Sequence, residues 1–110
     1  QSQQAKFFKG RYQSVLKLAH EHNLAVIADE VYQQNIYNGQ PFVSARRALN
    51  ELGEPFASDV ELVSLHSISK GILGECGLRG GYFEYANVPE NGRGMLYKLK
   101  SIELCSNTVG

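Results

Sequence analysis

Six side chains of this sequence carry groups that could act together on one small molecule. Lys70 sits in the run His66-Ser67-Ile68-Ser69-Lys70-Gly71. A strand-like apolar stretch, Val60 to Leu65, leads into it, and a glycine-rich segment containing Arg79 follows. Upstream, a second strand-like stretch, Leu24 to Ala28, ends in Asp29-Glu30-Val31-Tyr32. An amine, two hydroxyls, a guanidinium, a carboxylate and a phenol therefore fall near the ends of two predicted strands. They suit a cofactor with an aldehyde, a phosphate and a basic ring nitrogen. Pyridoxal phosphate has all three.

Each group has its own chemical reason and its own plainer alternative. A lysine attacks a carbonyl only as the neutral amine, which burial or nearby positive charge favours. A strand before Lys70 and a glycine loop after it would hold the amine at the carboxyl end of the strand, where open α/β sheets bind ligands. The plainer reading is an exposed loop lysine. Ser67, Ser69 and Arg79 are natural partners for a phosphate dianion. Alternatively, the serines form a turn and Arg79 is a surface charge. Asp29 could keep a ring nitrogen protonated, which makes such a ring an electron sink. Tyr32 could hydrogen-bond a ring oxygen. Alternatively, Asp29 caps a turn, Glu30 is solvated and Tyr32 packs half-buried.

The elements that position these groups follow from periodicity. Residues 5–22 read as a helix, with Phe8, Tyr12, Val15, Leu16 and Ala19 on one buried face and Asn23 closing it in the left-handed conformation. Leu24 to Ala28 is a continuous apolar run, predicting a strand buried on both faces. Tyr37 to Pro41 is turn chemistry. Ser44 to Leu52 predicts a helix with Ser44 as N-cap, Ala45, Ala48, Leu49 and Leu52 on one side, and Gly53 as its stop. Glu54 to Asp59 reads as a connecting loop, and Val60 to Leu65 as a strand. The five glycines of Gly71 to Gly81 suggest a loop whose backbone approaches something closely. Gly81 to Tyr85 is a third strand. Asn87-Val88-Pro89-Glu90 predicts a helix start capped by Asn87, with Met95, Leu99 and Ile102 on one face. Gly92 and Gly94 predict a late start or fraying, since glycine costs about 1 kcal/mol per interior helix site. Helix alternating with strand is the α/β pattern.

Bulk composition narrows the function classes. The sequence has 110 residues, with 11 basic and 11 acidic side chains and 43% hydrophobic content. That is enough to bury a core. The balanced charge argues against nucleic-acid binding. No apolar run approaches the roughly 20 residues that span a bilayer. Cys76 and Cys105 are too few and too far apart for a disulfide framework or a zinc site, and read as reduced intracellular thiols. There is no P-loop pattern, and Gly74-Glu75-Cys76-Gly77 does not make a dinucleotide fingerprint. His20 and His22 diverge on a helix and make a poor metal pair. These two and His66 read as solvated. The chain opens on Gln1 and closes on Gly110 without a tail, which suggests an internal fragment.

Three separated motifs carry a family resemblance: Ala28 to Tyr32, Ser67 to Gly71, and Gly77 to Tyr82. In this order and at these separations they resemble the class I/II aminotransferases, which are fold type I pyridoxal-phosphate enzymes. The run Leu65 to Tyr82 and the Leu104-Cys105 region are similar to the alanine aminotransferase branch. The resemblance covers essentially residues 1–110. It implies part of the large cofactor-binding domain, an α/β fold with a mostly parallel sheet flanked by helices. It implies that Lys70 holds pyridoxal 5'-phosphate and is the catalytic residue. It gives Asp29 to the ring nitrogen, Tyr32 to the ring's phenolic oxygen, and Ser67 and Arg79 to the phosphate, with Ser69 as a helper. The implied reaction is L-alanine plus 2-oxoglutarate to pyruvate plus L-glutamate, in a homodimer in the cytoplasm or mitochondrion.

Arg79 lies nine residues after Lys70, one more than in many members of the family, as in the alanine-type enzymes. The family's upstream phosphate loop, ring-stacking aromatic and substrate-carboxylate arginine fall outside this window. The segment made alone is therefore expected not to transaminate and to fold poorly, its sheet having unpaired edges. Kynurenine- or tyrosine-type aminotransferases and aminocyclopropane-carboxylate synthase share the lysine and aspartate motifs and stand as alternatives. So does a non-catalytic α/β scaffold.

Overall fold

The structure, a computed structural model, describes residues 3–37, 39, 41–72 and 74–103. Its elements run α1 (Gln3–Glu21), β1 (Val26–Asp29), α2 (Ala45–Leu52), α3 (Phe56–Asp59), β2 (Leu62–Ser67), β3 (Gly81–Ala86) and α4 (Glu90–Glu103). The strands form one sheet in the order β1-β2-β3. β1 pairs parallel with β2, from Val26 opposite Leu62 to Asp29 opposite Leu65. β3 returns antiparallel to β2, from Leu62 opposite Ala86 to Ser67 opposite Gly81. A parallel pair needs a long crossover, here supplied by the chain carrying α2 and α3. The result is an α/β fold with a β-sheet flanked by helices. For these three strands the expectation of a mostly parallel sheet is corrected to one parallel and one antiparallel pairing. The connection of residues 68–80 folds back on the end of β2, Ile68 N donating to Gly80 O at 3.2 Å, so β3 starts beside Ser67 and runs back along β2.

The core forms where the helices cover one face of the sheet. Leu16 and Ala19 of α1, Ala45, Ala48 and Leu49 of α2, and Ala28, Val60, Leu62 and Ala86 make one buried cluster. Tyr12 and Leu52 are half-buried beside it. Val15, expected on the buried face of α1, is exposed, and the side chain of Phe8 lies outside the described residues. Asn23 closes α1 at φ 52. Side chains alternate across a strand, so the opposite sheet face carries Ile27, Leu65, Phe83 and Tyr85. Ile27 is 69% exposed. The expectation of a strand buried on both faces is thus corrected: α1 and α2 cover the other side of β1, while α4 borders only the part of this face that carries Val63, Phe83 and Tyr85. The extents of 44 × 41 × 17 Å suit one sheet and one helix layer, at about 10 Å per layer. The radius of gyration of 15.9 Å exceeds the roughly 13 Å of a compact domain this long, as a slab should.

Local chemistry explains the helix ends. Ser44 caps α2, its Oγ accepting from Arg47 N at 3.1 Å, and Gly53 ends it at φ 75. Lys9 and Arg47 both bond Glu51 and hold its carboxyl below the usual range. The expected loop at Glu54 to Asp59 contains the one-turn α3, which is too short to show a period. Asn87 does not cap α4. It adopts φ 58, and its Nδ2 donates to the carbonyls of Ala57 and Val60, each at 2.8 Å. α4 nonetheless begins at Glu90 with Gly92 and Gly94 inside it, so the expected late start is not observed. Met95 and Leu99 are exposed along a groove of about 300 Å³ between α4 and the sheet, and the side chain of Ile102 lies outside the described residues.

Glu30 corrects another expectation. It is buried rather than solvated. Its Oε1 accepts from Ala45 N at 2.7 Å, at the N-terminus of α2, where backbone donors lack helical partners and negative charge is favoured. Burial first, and the Glu30 charge second, raise the Tyr12 phenol above its ordinary range. Glu30→Ala would leave the Ala45 donor unpaired and is expected to cost about 1–3 kcal/mol. Glu30→Gln, which keeps an acceptor, should cost less. Urea unfolding of the two variants checks the order.

Candidate active site

The carboxyl ends of β1 and β2 lie side by side, and the expected site residues sit on the turns leaving them. Glu30 N donates to Leu65 O at 2.9 Å, extending the parallel ladder by one bond. The chain then turns over Val31–Asn35, closed by Gln33 N to Glu30 O at 3.0 Å and Asn35 N to Tyr32 O at 2.9 Å. Asp29 is exposed, and its Oδ1 accepts from Val31 N at 3.2 Å. A carboxylate has capacity beyond one such bond. Tyr32 is 58% exposed on the same turn.

β2 runs two residues past the end of β1, to Ser67. Alternation puts Asp29, Leu65 and Ser67 on one face of the sheet. Ser67 Oγ accepts from Ser69 N at 3.1 Å and lies 3.5 Å from Gly80 O. Lys70 follows with its side chain exposed. Gly71 adopts φ +67, and a Cβ there would lie 3.2 Å from Asn35 Oδ1 and 3.5 Å from Val31 O. The turn bearing Lys70 therefore packs against the turn that follows Asp29, and only glycine fits between them without strain.

Arg79 arrives from the other side. The glycine loop folds back so that Glu75 N donates to Ile68 O at 2.9 Å and Ile68 N to Gly80 O at 3.2 Å. Arg79 sits in the left-handed region at φ 52, exposed, with Nη1 donating to Cys76 O at 3.2 Å. Cys76 Sγ donates to Ser69 O at 2.9 Å. The glycines do allow a close approach, but the approach is to β2. A Cβ on Gly80 would fall 2.8 Å from Ile68 Cδ1, and one on Gly81 2.6 Å from His66 O.

The backbone thus gathers Asp29, Tyr32, Ser67, Ser69, Lys70 and Arg79 at one sheet edge. Among the described residues no hydrogen bond or ion pair joins two of these side chains directly. The edge is open, and the α4 groove lies at the other end of β2. Sequence reasoning missed the layer beneath. His66, expected to be solvated, is partly buried with Nδ1 3.3 Å from Glu30 O, a distance that fits donation by the Nδ1–H tautomer. Its ring lies 5.1 Å from that of Tyr82. Tyr82 Oη in turn accepts from Gln33 Nε2 at 3.0 Å. Nothing in the local sequence signals these contacts, which join three strand ends. His20 also has partners: Nε2 lies 3.3 Å from Asp59 Oδ2, and the ring packs edge-on against Phe56.

A family model described as aminotransferase class I and II matches residues 8–101. The chain belongs to that family. This aminotransferase segment is 49% identical over 94 residues to glutamate–glyoxylate aminotransferase 1 of Arabidopsis thaliana, an overlap covering 84% of this chain and 20% of that protein. It is 42% identical over 104 residues to the probable mitochondrial alanine aminotransferase of Dictyostelium discoideum, covering 93% and 19%. It is 46% identical over 99 residues to alanine aminotransferase 1 of Bos taurus, covering 89% and 20%. The chain spans about one fifth of the length of these curated relatives.

The donor set of the edge fits pyridoxal phosphate. A lysine amine suits the aldehyde, a carboxylate on the neighbouring strand suits the ring nitrogen, and a hydroxyl with a guanidinium suits the phosphate. No helix of the described residues is long and apolar enough to cross a membrane.

Proposed function

We propose that this chain carries the cofactor lysine of a pyridoxal-phosphate aminotransferase, as residues 1–110 of a partial large domain within a longer enzyme. The proposed reaction moves the amino group of L-alanine to 2-oxoglutarate, giving pyruvate and L-glutamate. The observation that carries the reading is the packing of the Lys70–Gly71 turn on the Val31–Asn35 turn, which sets a lysine and an aspartate on adjoining strand ends.

The bound cofactor would supply an electron sink that makes the substrate's α-proton labile. In this reading Lys70 would hold the cofactor through its aldehyde and, as a free amine, would move the substrate's α-proton. Asp29 would hold the ring nitrogen in its protonated form. Tyr32 would hold the ring oxygen. Ser67 and Arg79 would hold the phosphate, with Ser69 as a helper. Support for alanine as donor is the similarity to the two alanine aminotransferases above. The same resemblance supports a homodimer acting in the cytoplasm or mitochondrion. A second reading, amino transfer between glutamate and glyoxylate, draws on the 49% identity to an enzyme so named.

The test is borohydride reduction of the full-length protein with pyridoxal phosphate, followed by digestion and mass mapping. A pyridoxyl adduct on Lys70 is expected. Folded protein with Lys70 unmodified would leave the scaffold alternative standing. Initial rates with alanine plus 2-oxoglutarate against glutamate plus glyoxylate then separate the two substrate readings.

A further inference from the structure

The side chain of Asn35 is not used by the turn that the residue ends. That turn closes through backbone bonds alone, and the side-chain amide is spare. A spare amide on a surface turn ordinarily stays in water. Here Asn35 Oδ1 is buried and meets no donor, an arrangement that costs about 1–3 kcal/mol. The oxygen lies 3.2 Å from where a Cβ on Gly71 would stand, so it occupies the space that a side chain there would need. Gly71 is the residue next to Lys70, and its positive φ fixes the direction in which the Lys70 segment leaves the contact.

We propose that Asn35 is a positioning residue for Lys70. Its amide oxygen wedges under Gly71 and sets the separation between the lysine turn and the aspartate turn. The inference rests on the function proposed above. Two properties of the side chain matter. Its bulk keeps the two turns from collapsing together. Its oxygen presents the lysine segment with a polar surface that a hydrocarbon of similar size does not. Covalent chemistry at a lysine tolerates little displacement, since a shift of about 1 Å can cost about 100-fold in rate.

The experiment compares Asn35→Leu, Asn35→Ala and Asn35→Asp in the full-length, cofactor-loaded protein. The readouts are kcat, KM for the amino donor, the thermal midpoint, and the visible circular dichroism of the bound cofactor, which reports how asymmetrically it is held. Asn35→Leu is expected to lower kcat by about 100-fold. KM should stay within about threefold. The dichroism band should weaken, with the midpoint moving by less than about 4 °C. Asn35→Asp keeps an oxygen in place and should recover most of the rate and the band. Asn35→Ala, which leaves space rather than filling it, carries the same expectation as the leucine if the latter does not accumulate. Unchanged kcat and dichroism in the leucine or alanine variant would overturn the proposal. So would a loss confined to the thermal midpoint. The borohydride adduct separates the two levels. Its absence from Lys70 in the unsubstituted protein defeats the underlying reading. Its presence there, with undisturbed Asn35 variants, defeats only the positioning role.

Discussion

Lys70→Ala in the full-length protein is expected to reduce transamination by at least about four orders of magnitude, because the proposed function makes one side chain both covalent anchor and proton carrier. The borohydride adduct should vanish from the corresponding peptide. Protein yield and thermal midpoint should barely move. Lys70 is exposed and forms no side-chain hydrogen bond or ion pair among the described residues, so its removal opens no cavity. Surface changes of this kind usually alter stability by less than about 0.5 kcal/mol. Residual activity within about tenfold of the parent, with the adduct elsewhere, would move the catalytic role to another lysine.

Asp29→Asn is expected to produce the second-largest loss, about 100-fold or more in kcat. The change leaves the shape almost intact and removes the negative charge. A neutral amide no longer holds a ring nitrogen protonated, so the cofactor's ability to accept electrons falls. Cofactor affinity should fall as well, because a charge-assisted bond becomes a neutral one. The backbone should survive: the local bond from Val31 N needs only an acceptor at Oδ1, which asparagine supplies. The two variants differ in a way that can be measured. Asp29→Asn should still yield the lysine adduct under borohydride, and Lys70→Ala should not. A rate for Asp29→Asn within a few-fold of the parent would show that the ring nitrogen has another partner.

Local signals made part of this structure legible. Ser44 and Gly53 bracket α2 because a hydroxyl and a glycine each satisfy a helix end by themselves. Lys70 and Asp29 could be set near strand ends because apolar runs precede them. The boundaries were less readable. The second strand was expected at Val60 to Leu65 and pairs over Leu62–Ser67. Apolar character marks burial rather than pairing. Val60 is buried beside α3, while His66 and Ser67 pair with β3 despite being polar. What sequence could not show were partners brought by the fold. Glu30 finds a helix start 15 residues on, Gln33 finds Tyr82, and Asn35 meets Gly71. Each depends on the register of strands distant in the chain.

The bare face of the sheet bears on how substitutions in this region should be ranked. Ile27, Leu65 and Phe83 are open to solvent here, although large apolar surfaces in folded proteins generally meet something. A scan that scores tolerance from these exposures would class Ile27→Lys as harmless. Within the longer enzyme proposed above, we expect such a change to behave like a core lesion, and a deep mutational scan of the full-length gene would register depletion of charged residues at position 27. The apolar face of the sheet is therefore where charged substitutions should be least tolerated.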